Sequence, residues 1–273
     1  MIKKIVCPTD FSQAANNATE YAAKLAQLFG AEVLFINVQR VSPMTAAVSL
    51  GESPTAQVRE NSRIAVQLLK DLSVEANKMF KISADYEVDI TTKSLEKILS
   101  EFEGNVLIVM GTNGIDDTYQ YLFGTNTYQV VQKANCPVMI IPENVTYGDI
   151  SKVVFAWKVY NSKFAYPALY DFLDAFHPKF VFLHINKDRT KSAEDVFRIL
   201  RDVTIFGEKA ETDYIEVYSD DVPESINRYM IQSQSDLLVL SYQNKGALER
   251  IFRTSIIKDM SATAVYPILV LHG

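Results

Sequence analysis

The stretch from Gly111 to Thr127 contains the residue types and spacing that could bind a phosphate group. It follows the apolar run 106–110, which is too short for a helix and typical of a buried strand. It leads into residues 125–133, whose pattern predicts a helix. Glycines let the backbone approach a ligand, and the free N–H groups and positive dipole end of a helix favour an anion. The order of strand, glycine loop and helix therefore predicts an anion site.

The glycine spacing separates this loop from the two common phosphate loops. Gly111 is followed by two residues, Gly114, nine residues, and then Gly124 and Thr125. The loop lacks the Lys-Ser/Thr pair of a P-loop and the GxGxxG of a dinucleotide-binding fingerprint. The pattern G-x2-G-x9-G-[S/T] after a hydrophobic strand resembles the nucleotide-binding motif of the universal stress protein family. The alternative is that Gly111 only ends a strand and Gly124 only starts a helix.

The resemblance implies a set of residues around an adenine nucleotide. The Asp10 carboxylate would accept hydrogen bonds from adenine or ribose, Val38 would pack on the base, and residues 110–111 would border the ribose. The full implied set is Pro8, Thr9, Asp10, Val38, Met110, Gly111, Asn113, Gly114, Gly124, Thr125, Asn126 and Thr127. For Asp10 the alternative is a helix cap, because Asp or Ser before an amphipathic segment is typical of an N-cap. For Val38 the alternative is plain core packing.

The charge of the motif bears on which nucleotide it could bind. Residues 111–132 contain no Lys or Arg, and Asp116 and Asp117 add negative charge. A triphosphate would need backbone N–H groups, the helix dipole and Mg²⁺, which the two aspartates could help to hold. The expected ligand is therefore ATP with Mg²⁺, or a less charged adenine nucleotide such as AMP.

Five apolar runs alternate with helical patterns before residue 146. The strands and helices that they predict would position the implied nucleotide-binding residues. Continuous apolar runs separated by helices predict a parallel sheet covered on both faces. Ligands bind beyond the carboxyl ends of such strands, where the strand order reverses. Asp10 follows the first strand and Gly111 follows the fourth, so we expect both at one crevice. The resemblance implies the strand order 3-2-1-4-5.

An internal repeat predicts a second copy of this unit. Residues 152–156 repeat the pattern of residues 4–8 at an offset of 148, and residues 266–271 repeat 136–141 at an offset of 130. We therefore expect an α/β fold of two tandem doubly wound domains, each a five-stranded parallel sheet flanked by helices. The predicted domains are residues 1–146, with the motif intact, and residues 147–273, a degenerate copy.

The second copy differs from the first in its length and in its motif. It is shorter by 18 residues, and the first copy's additional segment near residues 39–60 could cover the crevice as a lid or be a surface insertion without function. At the offset of 130, the motif glycines are replaced by Ser241, Asn244 and Thr254. Lys158 stands in place of Asp10. We therefore expect the nucleotide only in the first domain.

Composition and charge limit the partners and the location. The formal net charge of −6 disfavours nucleic acid and anionic membranes as partners. No apolar run approaches the roughly 20 residues needed to span a bilayer. The N-terminus enters a strand directly, without the pattern of a signal peptide, so a cytoplasmic location is expected. Cys7 and Cys136 lie in or beside apolar runs and are expected to be buried free thiols.

Little in the sequence favours catalysis. His177, His184 and His272 all lie in the second copy, and neither a nucleophile pairing nor a HExxH or CxxC metal pattern is present. The resemblance implies a regulatory stress-response protein with an unidentified protein partner and at most slow ATP hydrolysis. A slow ATPase or nucleotide transferase and a ligand-free interaction scaffold are the alternatives. The tandem would replace a dimer whose last strands pair, which leaves a further homodimer open.

Overall fold

The computed structural model of the chain describes residues 1–41, 56–112, 125–156, 167–186, 210–241 and 266–272. Within these ranges, strands and helices alternate along the chain. In order they are β1 (Lys4–Pro8), α1 (Gln13–Phe29), β2 (Glu32–Arg40), α2 (Ala56–Phe80), β3 (Ser83–Thr91), α3 (Leu95–Leu99), β4 (Val106–Thr112), α4 (Thr125–Lys133), β5 (Val138–Pro142), β6 (Lys152–Ala156), α5 (Pro167–Phe176), β7 (Lys179–Asn186), β8 (Thr212–Tyr218), α6 (Val222–Gln232), β9 (Leu237–Ser241) and β10 (Ile268–Leu271).

The first five strands form the predicted parallel arrangement, with the order β3-β2-β1-β4-β5. Strands β1, β2, β4 and β5 contribute apolar side chains to the core on both faces of the sheet. The edge strand β3 alternates instead, with exposed polar residues on one face. Strand β4 continues through Gly111 to Thr112, beyond the apolar run 106–110 that predicted it.

Helix α1 shows how local sequence sets the distance between a helix and the sheet. Its N-cap is Ser12, whose hydroxyl accepts a hydrogen bond from the Ala15 N–H, and its C-cap is Gly30, with a left-handed φ of 63°. The buried face between these caps is rich in alanine, including Ala14, Ala18 and Ala22. Small side chains let this helix lie close to the strands, as the sequence predicts.

The last five strands repeat the arrangement of the first five. Strand β6 is flanked by β7 and β9, β8 lies at the outer edge, and β10 follows β9, which is the same order 3-2-1-4-5. The register is also repeated. Lys4 pairs with Glu32 in the first half, and Lys152 pairs with Lys179 in the second. The predicted fold class of two doubly wound α/β units is confirmed.

The two halves meet where their last strands pair, and together they form one ten-stranded sheet. Strands β5 and β10 are antiparallel, whereas the other neighbouring strands described are parallel. Leu269 pairs with Met139, which is its equivalent at the offset of 130. A pseudo-twofold axis therefore passes between these two residues, as in a symmetric dimer interface. The predicted pairing of the last strands occurs within one chain.

Hydrophobic packing continues across the two halves. On one face of the sheet, the rings of Phe29 in α1 and Phe172 in α5 meet edge to face at 5.2 Å between centroids. On the same face, Tyr147 packs against Tyr21 with 4.8 Å between centroids. The Asp171 carboxylate in α5 also accepts a 2.6 Å hydrogen bond from the backbone N–H of Ile2. Residues of both halves thus share one core on each face of the sheet.

Candidate functional site

The candidate site lies at the carboxyl ends of β1 and β4. Strand β1 pairs with β2 on one side and with β4 on the other, so the strand order reverses at β1. This reversal is the position at which doubly wound sheets bind ligands. Asp10 follows β1, and Gly111 lies near the end of β4, so the structure brings these two predicted residues to the same edge of the sheet.

The turn between β1 and α1 has a defined hydrogen-bonded geometry. The Thr9 hydroxyl accepts a 3.1 Å hydrogen bond from the Phe11 N–H, and the Asp10 carboxylate accepts a 3.0 Å hydrogen bond from the Ser12 N–H. Phe11 adopts a left-handed φ of 65°, which is uncommon for a residue with a large side chain. Ser12, and not Asp10, caps α1. The capping alternative for Asp10 is therefore wrong, and its exposed carboxylate lies at the carboxyl edge of the sheet.

Asn37 is a buried polar residue that supports this turn. Its side-chain amide donates a 2.8 Å hydrogen bond to the Thr9 carbonyl and accepts a 3.2 Å hydrogen bond from Gln39. Gln39 in turn accepts a 3.0 Å hydrogen bond from the Ser62 hydroxyl in α2. The network connects the turn after β1 to α2. The sequence analysis missed Asn37, although a polar residue inside the apolar run 32–38 is the feature that could have identified it.

Three of the predicted residues are partly or fully buried in the sheet. Pro8 ends β1 and is buried, and Met110 is 4% exposed on the face that α4 covers. Val38 is half-buried and packs against the same face. Core packing is therefore a role that the structure gives to Val38, and contact with a base stays a prediction.

Gly111 is required by the packing of α1 on β4. A Cβ atom at this position would lie 2.2 Å from the Ala14 carbonyl oxygen and 2.9 Å from the Ala15 nitrogen. Both neighbours are backbone atoms, so they cannot give way as a flexible side chain would. The glycine thus lets the first turn of α1 lie directly against the strand end. Because the strand continues to Thr112, the interpretation that Gly111 only ends a strand is wrong.

Helix α4 places its N-terminus at the same edge of the sheet. It begins at Thr125, and its first turn contains Asn126, which is exposed, and Thr127, which is 3% exposed. The free N–H groups of a helix N-terminus and its positive dipole end favour an anion. Asn113, Gly114 and Gly124 of the motif lie outside the described residues, as do Asp116 and Asp117.

A buried carboxylate anchors the other end of α4. Glu96 accepts a 2.8 Å hydrogen bond from Lys133 in the last turn of α4 and a 2.6 Å hydrogen bond from Ser94. Burial of Glu96 raises the pKa of its carboxyl group, but the hydrogen bonds from Lys133 and Ser94 outweigh burial and hold the pKa below its usual value. The charged form of Glu96 is thus favoured, and it ties α4 to α3.

The second half places different residues at the equivalent edge. Ser241 ends β9 and takes the position of Gly111, since Ser241 pairs with Leu271 as Gly111 pairs with Ile141. Lys158, Asn244 and Thr254 lie outside the described residues. So do residues 42–55, which make up most of the segment predicted as a lid. Residues 39–40 extend β2, and α2 begins at Ala56.

The remaining titratable residues do not form a second centre in the described ranges. There, no group of three or more His, Cys, Asp or Glu side chains is arranged to hold a metal ion, and no helix is long and apolar enough to cross a membrane. Cys7 and Cys136 are buried free thiols, as predicted. Burial raises the pKa of both, that of Cys136 to about 12. His272 follows β10, and its Nε2 lies 2.8 Å from the Val131 carbonyl of α4.

Similar proteins cover either about half of the chain or the whole chain. Universal stress protein MJ0531 of Methanocaldococcus jannaschii is 32% identical over 149 residues, which cover 52% of this chain and 82% of that protein. Universal stress protein MJ0577 of the same organism is 30% identical over 155 residues, which cover 52% of this chain and 95% of that protein. The crystal structure of a universal stress protein from Archaeoglobus fulgidus DSM 4304 has a TM-score of 0.72 at 16% identity and covers 100% of this chain and 99% of its own.

These similarities agree with the architecture. The Archaeoglobus fulgidus structure shows that the tandem fold of the whole chain has a known counterpart. The sequence pattern of the universal stress protein family matches residues 1–142, which end with β5 and include the entire glycine motif. This match covers more than half of the 273 residues. The chain belongs to the universal stress protein family.

Proposed function

We propose that the chain binds one adenine nucleotide, ATP or AMP, at the carboxyl ends of β1 and β4, and that the bound nucleotide acts as a regulatory signal in a stress response. One observation carries the proposal. The exposed Asp10 carboxylate follows β1, the N-terminus of α4 follows β4, and these two strands are neighbours where the strand order of the sheet reverses. A carboxylate accepts hydrogen bonds from a nucleoside, and a helix N-terminus favours phosphate.

The described residues fit such a ligand on both sides of the crevice. Asp10 would accept hydrogen bonds from ribose or adenine, with Val38 against the base and Met110 beside the ribose. Asn126 and the first N–H groups of α4 would contact the phosphates. The Thr112 hydroxyl, which is buried and has no partner among the described residues, gives the crevice a polar group that a ligand could satisfy. The other members of the proposed set are Pro8, Thr9, Gly111, Asn113, Gly114, Gly124, Thr125 and Thr127.

The proposal includes Mg²⁺ when the ligand is ATP. Residues 111–132 contain no Lys or Arg, so backbone N–H groups and the helix dipole would have to offset the triphosphate charge alone. AMP carries less charge and would not need the metal. Titration of ATP with and without Mg²⁺ separates these two cases, because equal ATP affinity under both conditions would exclude a contribution from the metal.

Calorimetric titration of two matched variants tests the site. Gly124→Leu places a large side chain in the motif, and Thr254→Leu places the same side chain at the equivalent position of the second half. We expect wild type and Thr254→Leu to bind one nucleotide per chain, and Gly124→Leu to lose binding. Absence of ATP and AMP binding in wild type would contradict the proposal and favour the ligand-free interaction scaffold. Equal loss in both variants would place the site elsewhere.

The regulatory part of the proposal needs a partner that responds to the nucleotide. A response of this kind requires a partner that binds the loaded and empty forms with different affinity. Capture of partners from cytoplasmic extract by wild type and by Gly124→Leu, each with and without ATP, tests this directly. A partner retained only by nucleotide-loaded wild type would support it, whereas identical sets of captured proteins would contradict it.

A further inference from the structure

The buried Thr112 hydroxyl has no hydrogen-bond partner within the described ranges of the chain. The residue is 3% exposed, and its Oγ1 has no hydrogen bond to any part of the chain that the structure describes. Buried hydroxyl groups in native proteins are generally paired, because removal from water without compensation is unfavourable. The backbone of Thr112 is paired, since its carbonyl accepts a 3.1 Å hydrogen bond from the Glu143 N–H. Of the polar groups of Thr112, it is therefore the side chain that lacks a partner in the described part of the chain.

The face of β4 on which Thr112 lies follows from strand alternation. Gly111 faces α1, because a Cβ atom there would meet Ala14. Thr112 consequently faces the opposite side, with Met110, which belongs to the apolar cluster that α4 covers. Thr112 is also the last residue of β4. Its hydroxyl is thus at the carboxyl edge of the strand, on the α4 side.

A second hydroxyl residue, Thr127 in the first turn of α4, lies on the same side of the sheet. Thr127, Val130 and Val131 are spaced three and four residues apart and share one face of the helix. All three are buried, and the two valines belong to the same cluster as Met110. The sheet-facing side of α4 therefore begins with Thr127. Thr112 and Thr127 lie at the same end of the space between this helix and the sheet.

We infer that the Thr112 hydroxyl donates a hydrogen bond to a phosphate oxygen of the nucleotide, an inference that rests on the proposed function. An ionised phosphate oxygen accepts hydrogen bonds, and a threonine hydroxyl can donate one. The N-terminus of α4 favours the same charge at the same edge. Residues 111–132 contain no Lys or Arg that could bind the phosphate. A neutral hydroxyl donor should therefore contribute a larger share of the binding free energy. In the second half, Tyr242 takes this position in the sequence.

Three variants and three ligands test the inference. Thr112→Val removes the hydroxyl and keeps the shape, and Thr112→Ser keeps the hydroxyl. Thr19→Val is the matched control, since the Thr19 hydroxyl is buried but donates a 2.7 Å hydrogen bond to the Asn16 carbonyl inside α1. Each protein is titrated calorimetrically with adenosine, AMP and ATP, and its unfolding midpoint in urea is measured without ligand.

We expect Thr112→Val to weaken AMP and ATP binding about tenfold and to leave adenosine binding within about twofold. Its unfolding midpoint should equal or exceed that of wild type, because the lost hydroxyl has no partner among the residues that the structure describes. Thr112→Ser should bind AMP and ATP as wild type does, and Thr19→Val should leave the three affinities unchanged.

Other outcomes separate this inference from the proposed function. Wild type that binds no nucleotide would contradict the proposed function. Wild type that binds AMP, together with Thr112→Val of equal affinity, would overturn only the role of Thr112. An equal loss for adenosine and AMP would also overturn the inference, since the contact would then be to ribose or base. If Thr112→Val does not fold, loss of AMP affinity in Thr112→Ser would be the contradicting result.

Discussion

The two halves of the chain have the same strand order and register but different residues at the carboxyl edge of the sheet. In the first half, Asn37 in β2 supports the turn after β1 through a 2.8 Å hydrogen bond to the Thr9 carbonyl. The register places His184 at the equivalent position of β7. Two residues further on, Asn186 donates a 3.2 Å hydrogen bond to Glu216. The two halves thus share the apolar pattern that forms the strands, and they differ in the polar residues at the edge of the sheet.

Gly111 and Ser241 show a similar difference between the halves, at equivalent positions of the fourth strand. Gly111 pairs with Ile141 and Ser241 pairs with Leu271, so both residues lie beside the final strand of their halves. In the first half a side chain would collide with the α1 backbone, whereas the second half has a serine at this position. In the first half, the glycine therefore allows the first helix to pack closely on the fourth strand. The family's sequence pattern matches residues 1–142, which include Gly111.

The largest expected effect concerns the strands where the halves join. Met139 and Leu269 are fully buried, pair directly and are related by the pseudo-twofold axis. Substitution of either by alanine should lower the free energy of unfolding by about 2–5 kcal/mol, because each leaves a cavity in the shared core. Urea unfolding followed by tryptophan fluorescence and circular dichroism measures the loss.

The same pair tests whether the halves are equivalent at the join. We expect similar losses from Met139→Ala and Leu269→Ala and a double variant that departs from additivity, because the two residues are in contact. Strictly additive losses of unfolding free energy, or an unfolding transition in only one half of the chain, would show that the halves are independent. Either result would contradict a shared core at the join.

The next largest effect is expected at the fourth strand. Gly111→Ala should lower the free energy of unfolding by about 2 kcal/mol or more, because the new Cβ atom forces apart the backbones of β4 and α1. The matched change Ser241→Ala should cost less than about 1 kcal/mol, since a Cβ atom is already present there. Urea unfolding of both variants gives the two values. Equal losses would contradict the packing role assigned to Gly111.

The smallest effect concerns Glu96 and depends on pH. Its pKa is lowered in the folded protein, so its contribution to stability is present above its unfolded pKa, about 4.3, and is lost as the pH falls through the folded value. Glu96→Gln should therefore destabilise the protein by about 1 kcal/mol or less at pH 7 and by less at pH 3. Thermal unfolding at the two pH values measures the difference.

A surface carboxylate in the second half serves as the control. Glu224 forms an exposed ion pair with Arg228 at 3.4 Å, and such pairs contribute little to stability. Glu224→Gln should leave the melting temperature unchanged at both pH values. A loss for Glu96→Gln that is equally large at pH 3 would show that its hydrogen bonds to Lys133 and Ser94 do not depend on its charge.

The sequence predicted the strands because continuous apolar runs are sufficient to identify a sheet covered on both faces. It also placed Asp10 and Gly111 at one edge of the sheet, since they lie at the ends of strands that become neighbours. It could not identify the cap of α1, because Asp10 and Ser12 both have suitable side chains and only the backbone geometry separates them. The role of Gly111 was equally hidden. Its close contact is with Ala14, almost one hundred residues earlier in the chain, and such contacts appear only after folding.

The buried polar residues show the same limit. Asn37 could have been noticed as a polar residue in an apolar run, but its partner, the Thr9 carbonyl, is a backbone group that sequence does not reveal. Thr112 is a common residue type beside a glycine, so the sequence does not single it out. Only the structure shows that its hydroxyl is buried without a partner in the described part of the chain. Function at such positions depends on geometry that residue types do not encode.

The central claim is that the first half holds one nucleotide and the second half holds none. The most direct test is mass spectrometry of the small molecules released when freshly purified protein is denatured, with Gly124→Leu and Thr254→Leu alongside. The account predicts about one equivalent of ATP or AMP per chain in wild type and in Thr254→Leu, and none in Gly124→Leu. Two equivalents in wild type, or unchanged loading of Gly124→Leu, would contradict it.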